Sequence, residues 1–139
     1  MIVADYLIDT SAVWRLLRDT DLVLPWHAAI DAGLVGICPM SELEILRSAR
    51  SPSEAADWDD WLGNAYLPYE TDERDIRRAR TVQQKLMHTG SHRAPGPSDL
   101  IIAATAERHR LALLHDDNDF EAIAKVTGQA LARVTGLLP

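Results

Sequence analysis

Residues 96–120, GPSDLIIAATAERHRLALLHDDNDF, read as a helix followed by a strand, with acidic residues where each begins or ends. Pro97 and Ser98 are a helix-start signal, since proline is tolerated in a first turn and serine can accept bonds from its orphan N–H groups. Asp99 stands at that start. Leu100 to Ala106 is apolar and rich in small residues, as suits a buried helix. After the charged break ERHR, the short run LALL suits a buried strand and stops at His115, Asp116, Asp117, Asn118 and Asp119. Carboxylates placed at the edge of an apolar framework raise one another's pKa unless a cation intervenes.

Outward from this stretch, short apolar runs alternate with helical patterns. Val3 to Ile8 reads as a first strand ending at Asp9, and Thr10-Ser11 can cap a helix that continues as AVWRLLR. A second helix is expected over Leu22 to Ala32, stopped by Gly33, then a strand in LVGIC, and a helix opened by Pro39. On that helix Glu42 shares a face with Ile45, Leu46 and Ala49, either as a dipole partner or as a ligand. Glu44 points roughly the opposite way and reads as a solvated surface residue. Ser51-Pro52-Ser53 starts a helix striped by Trp58, Trp61, Leu62 and Ala65, and Leu67-Pro68-Tyr69 is extended. The longest helix runs from about Thr71 to Thr89, with an apolar stripe of Ile76, Ala79, Val82 and Leu86 and a basic side of Arg74, Arg78 and Lys85. Gly90 ends it, and a loop carries His92 and Arg93. A last helix from Asp119 to Thr127, closed by Gly128, and a strand near Ala130 to Val134 complete the chain. This alternation predicts one α/β domain over residues 1–139, with a mainly parallel sheet. Such sheets gather ligands outside the carboxyl ends of their strands, where Asp9, Asp117 and Asp119 all fall.

Composition narrows the function. The chain has 139 residues, 47% of them hydrophobic, no run approaching 18 apolar residues and no signal-peptide pattern, so a soluble cytoplasmic protein without a membrane span is expected. Cys38 is the only cysteine and excludes an intrachain disulfide. The net charge of −7 has the wrong sign for binding nucleic acid through the whole surface. Its distribution is uneven, however: from Arg74 to Arg93 five Arg and one Lys face only Asp75, a local +5.

Carboxylates at one edge, without a matching set of Cys or His, make an all-oxygen site that suits Mg²⁺ or Mn²⁺ rather than Zn²⁺. Paired ions of that kind activate water and stabilise the leaving oxygen of a phosphodiester. No Ser-His-Asp order, P-loop or Gly-rich cradle points to another hydrolytic class. Each acid also has a local reading: Asp9 and Asp99 as helix caps, Glu42 as a dipole contact, Asp117 and Asp119 as turn residues, with Asp119 as the N-cap of the last helix. His115 reads as a structural hydrogen-bonding residue. The alternative functions are a phospho-acceptor α/β module, which would want an early acidic pair and a nearby lysine, and a non-catalytic module acting through protein partners.

The blocks LIDTSAV, SELEIL, HRAPGPSDLIIAATA and LLHDDNDFEAIAKVTGQ resemble, in order and spacing over nearly the whole length, the PIN-domain ribonucleases and specifically the VapC toxins of toxin–antitoxin pairs. The resemblance implies a three-layer α/β/α PIN-like fold and Mg²⁺- or Mn²⁺-dependent endoribonuclease action on RNA (tRNA, rRNA or mRNA) through metal-activated water. It also implies a homodimer and neutralisation by a VapB-type antitoxin, bound in a groove formed by helices. By the same resemblance Asp9, Glu42, Asp99 and Asp117 are the catalytic, metal-coordinating positions, Asp119 is an additional acid, and Ser11 is a supporting hydroxyl. His92 and Arg93 match a basic pair, which with Arg74, Arg78 and Lys85 makes a candidate RNA-binding set. One departure is Asp116, where relatives often carry an aromatic residue; it adds a charge beside Asp117.

Overall fold

The structure, a computed structural model, describes residues 4–136. Its sheet holds five parallel strands in the order β3-β2-β1-β4-β5: β1 (Tyr6–Ile8), β2 (Val35–Ile37), β3 (Leu67–Pro68), β4 (Ala112–His115) and β5 (Leu131–Arg133). The helices are α1 (Thr10–Arg18), α2 (Thr20–Asp31), α3 (Pro39–Arg47), α4 (Pro52–Ala65), α5 (Glu73–His88), α6 (Pro97–Arg108) and α7 (Asn118–Thr127).

The three central strands are apolar but for His115 at the end of β4, because helices cover both of their faces. Alternate residues feed two cores. Leu7 and Leu113 pack with Ala79, Val82 and Leu86 of α5, Leu100 and Ala103 of α6, and Phe120 and Ile123 of α7. Tyr6, Ile8, Val35, Ile37 and Leu114 pack the other way, against Val13 and Leu16 of α1, Trp26 of α2, Ile45 of α3 and Leu62 of α4. The result is the expected three-layer α/β/α arrangement. Among the described residues no helix is long and apolar enough to cross a membrane.

Several boundaries differ from those read off the sequence. The first strand begins at Tyr6; its expected start, Val3, lies outside the described residues. Helix α2 begins at Thr20 because the Asp19 side chain accepts from the Asp21 N–H and caps it. On α5 the inward position expected for Ile76 belongs to Asp75, which is 1% exposed, while Ile76 is 42% exposed. Asp75 is tolerated there because Arg108 of α6 donates to both of its oxygens, at 2.8 and 3.0 Å. Gly33 and Gly128 end α2 and α7 with φ of 76° and 73°, the left-handed turn that favours glycine.

Trp26 ties α2 to the segment after β5: its buried indole N–H donates to the Val134 carbonyl at 2.9 Å. Trp26→Phe keeps most of the apolar contact but strands that carbonyl. Urea denaturation should register a loss of about 1–2 kcal/mol; an unchanged midpoint would mean that the bond contributes nothing to the fold.

Candidate metal centre

The chain runs from β1 outward to β2 and β3, then crosses to β4 and β5 on the other side. The gap above the carboxyl ends of β1 and β4 is therefore the point where strand order reverses. Ile8 is in register with Leu114, and the Asp9 N–H donates to the Leu114 carbonyl at 2.9 Å. The turn after β1 thus lies beside the turn after β4, and both carry acids.

Asp9, 3% exposed, is the N-cap of α1. Its Oδ2 accepts from the Ser11 N–H at 2.8 Å and from the Ser11 hydroxyl at 2.6 Å. The same hydroxyl accepts from the Asp116 N–H at 2.9 Å, so Ser11 stitches the two turns together. Asp117 is the N-cap of α7, its Oδ1 accepting from the Asp119 N–H at 2.9 Å; the cap expected at Asp119 belongs to Asp117. Asp99 sits in the first turn of α6, and its Oδ2 accepts from the Gly96 N–H at 3.0 Å. Each of these three aspartates gives one oxygen to a helix N-terminus. For Asp99 and Asp117, among the described residues, the other oxygen accepts no hydrogen bond from the protein.

The glutamate in this cluster is Glu44. Its Oε1 accepts from Thr10 Oγ1 at 3.1 Å and its Oε2 from Ser98 Oγ at 3.3 Å, and its charge acts on Asp9. The solvated surface role expected for Glu44 is thereby corrected. Glu42 is not brought to the cluster. It lines an open groove with Pro39, Pro68, Tyr69, Glu70 and His109, and the acid that acts on it is Asp59 of α4.

The electrostatics trace the same group. Burial, followed by the charges of Asp9, Asp117 and Asp119, pushes the Asp99 carboxyl up to about 6 against the opposing pull of the Gly96 N–H. Burial raises Asp9, Ser11's two bonds lower it, and Glu44 adds to the rise; burial and then Asp117 raise Asp119. His115 belongs to the wall rather than to the donor set. Its buried ring lies 5.5 Å from Phe120, and Nδ1 accepts from the Asp117 N–H at 3.2 Å, the structural role expected for it. Asp116 turns its charge elsewhere, to Arg15 at 3.1 Å and Arg133 at 3.6 Å.

Five carboxylates and three hydroxyls, with no imidazole or thiol among them, fit a hard divalent cation. Among the described residues no three His, Cys, Asp or Glu side chains lie close enough together to hold a metal ion as they stand. Carboxylates that share one site repel one another, and a divalent cation would offset that repulsion.

Of the basic residues expected to meet RNA, Arg74 is paired with Asp72 at 2.7 Å, and Arg78 holds Glu107 with two bonds at 2.7 and 3.2 Å, joining α5 to α6. Lys85 and Arg93 are exposed, and His92 is half-buried, with an Nδ1 that has no partner.

The PIN domain family model matches residues 6–126. Ribonuclease VapC2 of Mycobacterium tuberculosis is 40% identical over 131 residues, covering 94% of this chain and 92% of that protein. Ribonuclease VapC18 of the same species is 36% identical, covering 89% and 90%. In structure the chain resembles the DNA-bound VapBC of Salmonella typhimurium, with a TM-score of 0.77 at 14% identity over 95% of this chain and 99% of that one. It also resembles VapBC-1 of nontypeable Haemophilus influenzae, with a TM-score of 0.76 at 14% identity over 94% and 98%. The chain belongs to the PIN-domain family and, within it, to the VapC ribonucleases.

Proposed function

We propose that residues 1–139 act as one PIN domain, the endoribonuclease toxin of a type II toxin–antitoxin pair, and that Asp9, Glu44, Asp99 and Asp117 hold Mg²⁺ or Mn²⁺ with Asp119 beside them. The observation that carries this reading is the Asp99 carboxyl, half-buried and raised to about 6 partly by three other acids, a cluster that calls for a cation. A divalent cation there would supply a polarised water and neutralise the charge that builds on the departing oxygen of a phosphodiester. The chain's own part is to hold that charge in place. The N–H groups at the starts of α1, α6 and α7 each fix one carboxylate oxygen, and Ser11 keeps the β1 and β4 turns in contact. Lys85 and Arg93 remain available to screen the strand's phosphates.

For a VapB-type antitoxin the receptive surface is the apolar groove between α1, α2 and α4, lined by Val13, Leu16, Leu17, Ile30, Trp61 and Tyr66. Leu17 is 55% exposed there, and the solved relatives above are VapBC complexes. A homodimer would have exposed Leu43 on α3 and Ile76 on α5 to cover.

The test is cleavage of a single-stranded RNA by protein stripped with a chelator and then restored with Mg²⁺ or Mn²⁺. Cleavage should vanish on stripping and return with either ion. Cleavage that persists without metal, or RNA left intact after restoration, would overturn the reading.

A further inference from the structure

Glu44 differs from the aspartates of the cluster in how it is held. The aspartates follow a strand or open a helix and are fixed by backbone N–H groups. Glu44 comes from within α3, with more rotatable bonds, and no backbone group of its own helix fixes its carboxylate. Both of its oxygens are met by hydroxyls: Thr10 Oγ1 at 3.1 Å, from the first residue of α1, and Ser98 Oγ at 3.3 Å, from the first turn of α6. Thr10 directly follows Asp9, and Ser98 directly precedes Asp99.

Neither hydroxyl is doing the local work its position suggests. Asp9, not Thr10, caps α1, and at the start of α6 the side chain that bonds the backbone is that of Asp99, which accepts from the Gly96 N–H, not that of Ser98. Both donate across the site instead. We infer that Thr10 and Ser98 are positioning residues, a pair of hydroxyls that fixes the direction of the Glu44 carboxylate relative to Asp9 and Asp99, an assignment that rests on the metal-centre reading above.

The residue type matters. A hydroxyl directs a carboxylate without adding charge, whereas Lys or Arg in the same place would cancel the negative potential that attracts a cation. Left unheld, a glutamate in a like-charged cluster swings toward water, and the cation must then order it on binding. The pair also links three helices at the site, since Thr10 on α1 and Ser98 on α6 both bond Glu44 on α3.

The experiment is Mn²⁺ titration of the metal-stripped full chain, with free Mn²⁺ read by electron paramagnetic resonance and melting followed in chelator. Thr10→Val with Ser98→Ala should weaken Mn²⁺ binding about 10–100-fold, the usual consequence of removing groups that orient a metal ligand, with melting close to the parent's. Thr10→Ser, which keeps the hydroxyl, should restore affinity to within about threefold of the parent. Should the double variant not fold, each single variant is expected to lose at least about threefold. Glu44→Gln is titrated alongside. If it loses Mn²⁺ while the hydroxyl variants bind like the parent, the positioning role is overturned and the metal centre stands. If Glu44→Gln itself binds like the parent, Glu44 is not a ligand, and both its place in the metal centre and the positioning role fall.

Discussion

Glu44→Gln should lower RNA cleavage at saturating Mn²⁺ by about 100-fold or more, while Glu42→Gln stays within about twofold of the parent. A factor of 100 is about 2.7 kcal/mol of transition-state stabilisation, a modest demand on an anionic group beside the reacting phosphate. The contrast comes from placement. Glu44 is held between Thr10 and Ser98 and acts on Asp9, whereas Glu42 faces Asp59 and the groove by Tyr69 and His109. Gln at position 44 still accepts from Thr10, so the loss would report charge rather than shape. Single-turnover cleavage of one labelled RNA by both variants decides the matter, and equal activity of Glu44→Gln and the parent would remove Glu44 from the centre.

These two glutamates also mark where the sequence stopped being legible. The helical period correctly separates them, but of the face expected to be buried, Ile45, Leu46 and Ala49, only Ile45 is fully inside. The buried line on α3 runs through Ser41 and Ile45, both 0% exposed. At 100° per residue Glu42 and Glu44 lie about 80° to either side of that line. Periodicity therefore leaves them equivalent, and only the position of α3 over the sheet, with Thr10 and Ser98 on one side, distinguishes them. A buried serine was the available signal: small size lets the helix approach β1, and Ser41 Oγ donates to the Ile8 carbonyl at 3.4 Å. The same difficulty affected α5, where a charge took the inward place expected for Ile76 because its partner, Arg108, lies 33 residues on. Arg74 and Arg78 looked like a free basic face for a related reason, since the acids that occupy them belong to a cap and to another helix.

What was legible was set locally. Strands buried on both faces are continuous apolar runs, and the residues that follow them must leave the sheet at its carboxyl edge. Asp9 and Asp117 could be placed there from the sequence for that reason. Their capping readings were not competitors of the cluster. Both aspartates cap a helix with one oxygen and still belong to the cluster, so a helix N-terminus offsets part of the cost of gathering negative charge.

Asp99→Asn should abolish cleavage and, in chelator at pH 8, make the protein more stable than the parent. The carboxyl is raised from 3.8 to about 6 in the fold, so between those values the folded chain holds more proton than the unfolded chain. Stability therefore falls as pH rises through that interval, and the full penalty persists above it. A shift of that size corresponds to about 3 kcal/mol at most, and solvent reaching a half-buried group reduces it to about 1–2 kcal/mol. Asparagine keeps an oxygen for the Gly96 N–H while removing the charge that Asp9, Asp117 and Asp119 oppose. Melting temperature should rise by about 3–8 °C at pH 8, and the gain should shrink to almost nothing near pH 3.5, where the parent's Asp99 is mostly protonated in both states. Saturating Mn²⁺ should reverse the order, because the parent gains binding energy that the variant has lost. Only a carboxylate held against its neighbours for the sake of a cation produces that crossing. A variant less stable than the parent in chelator at pH 8 would mean that something other than a missing cation already balances Asp99.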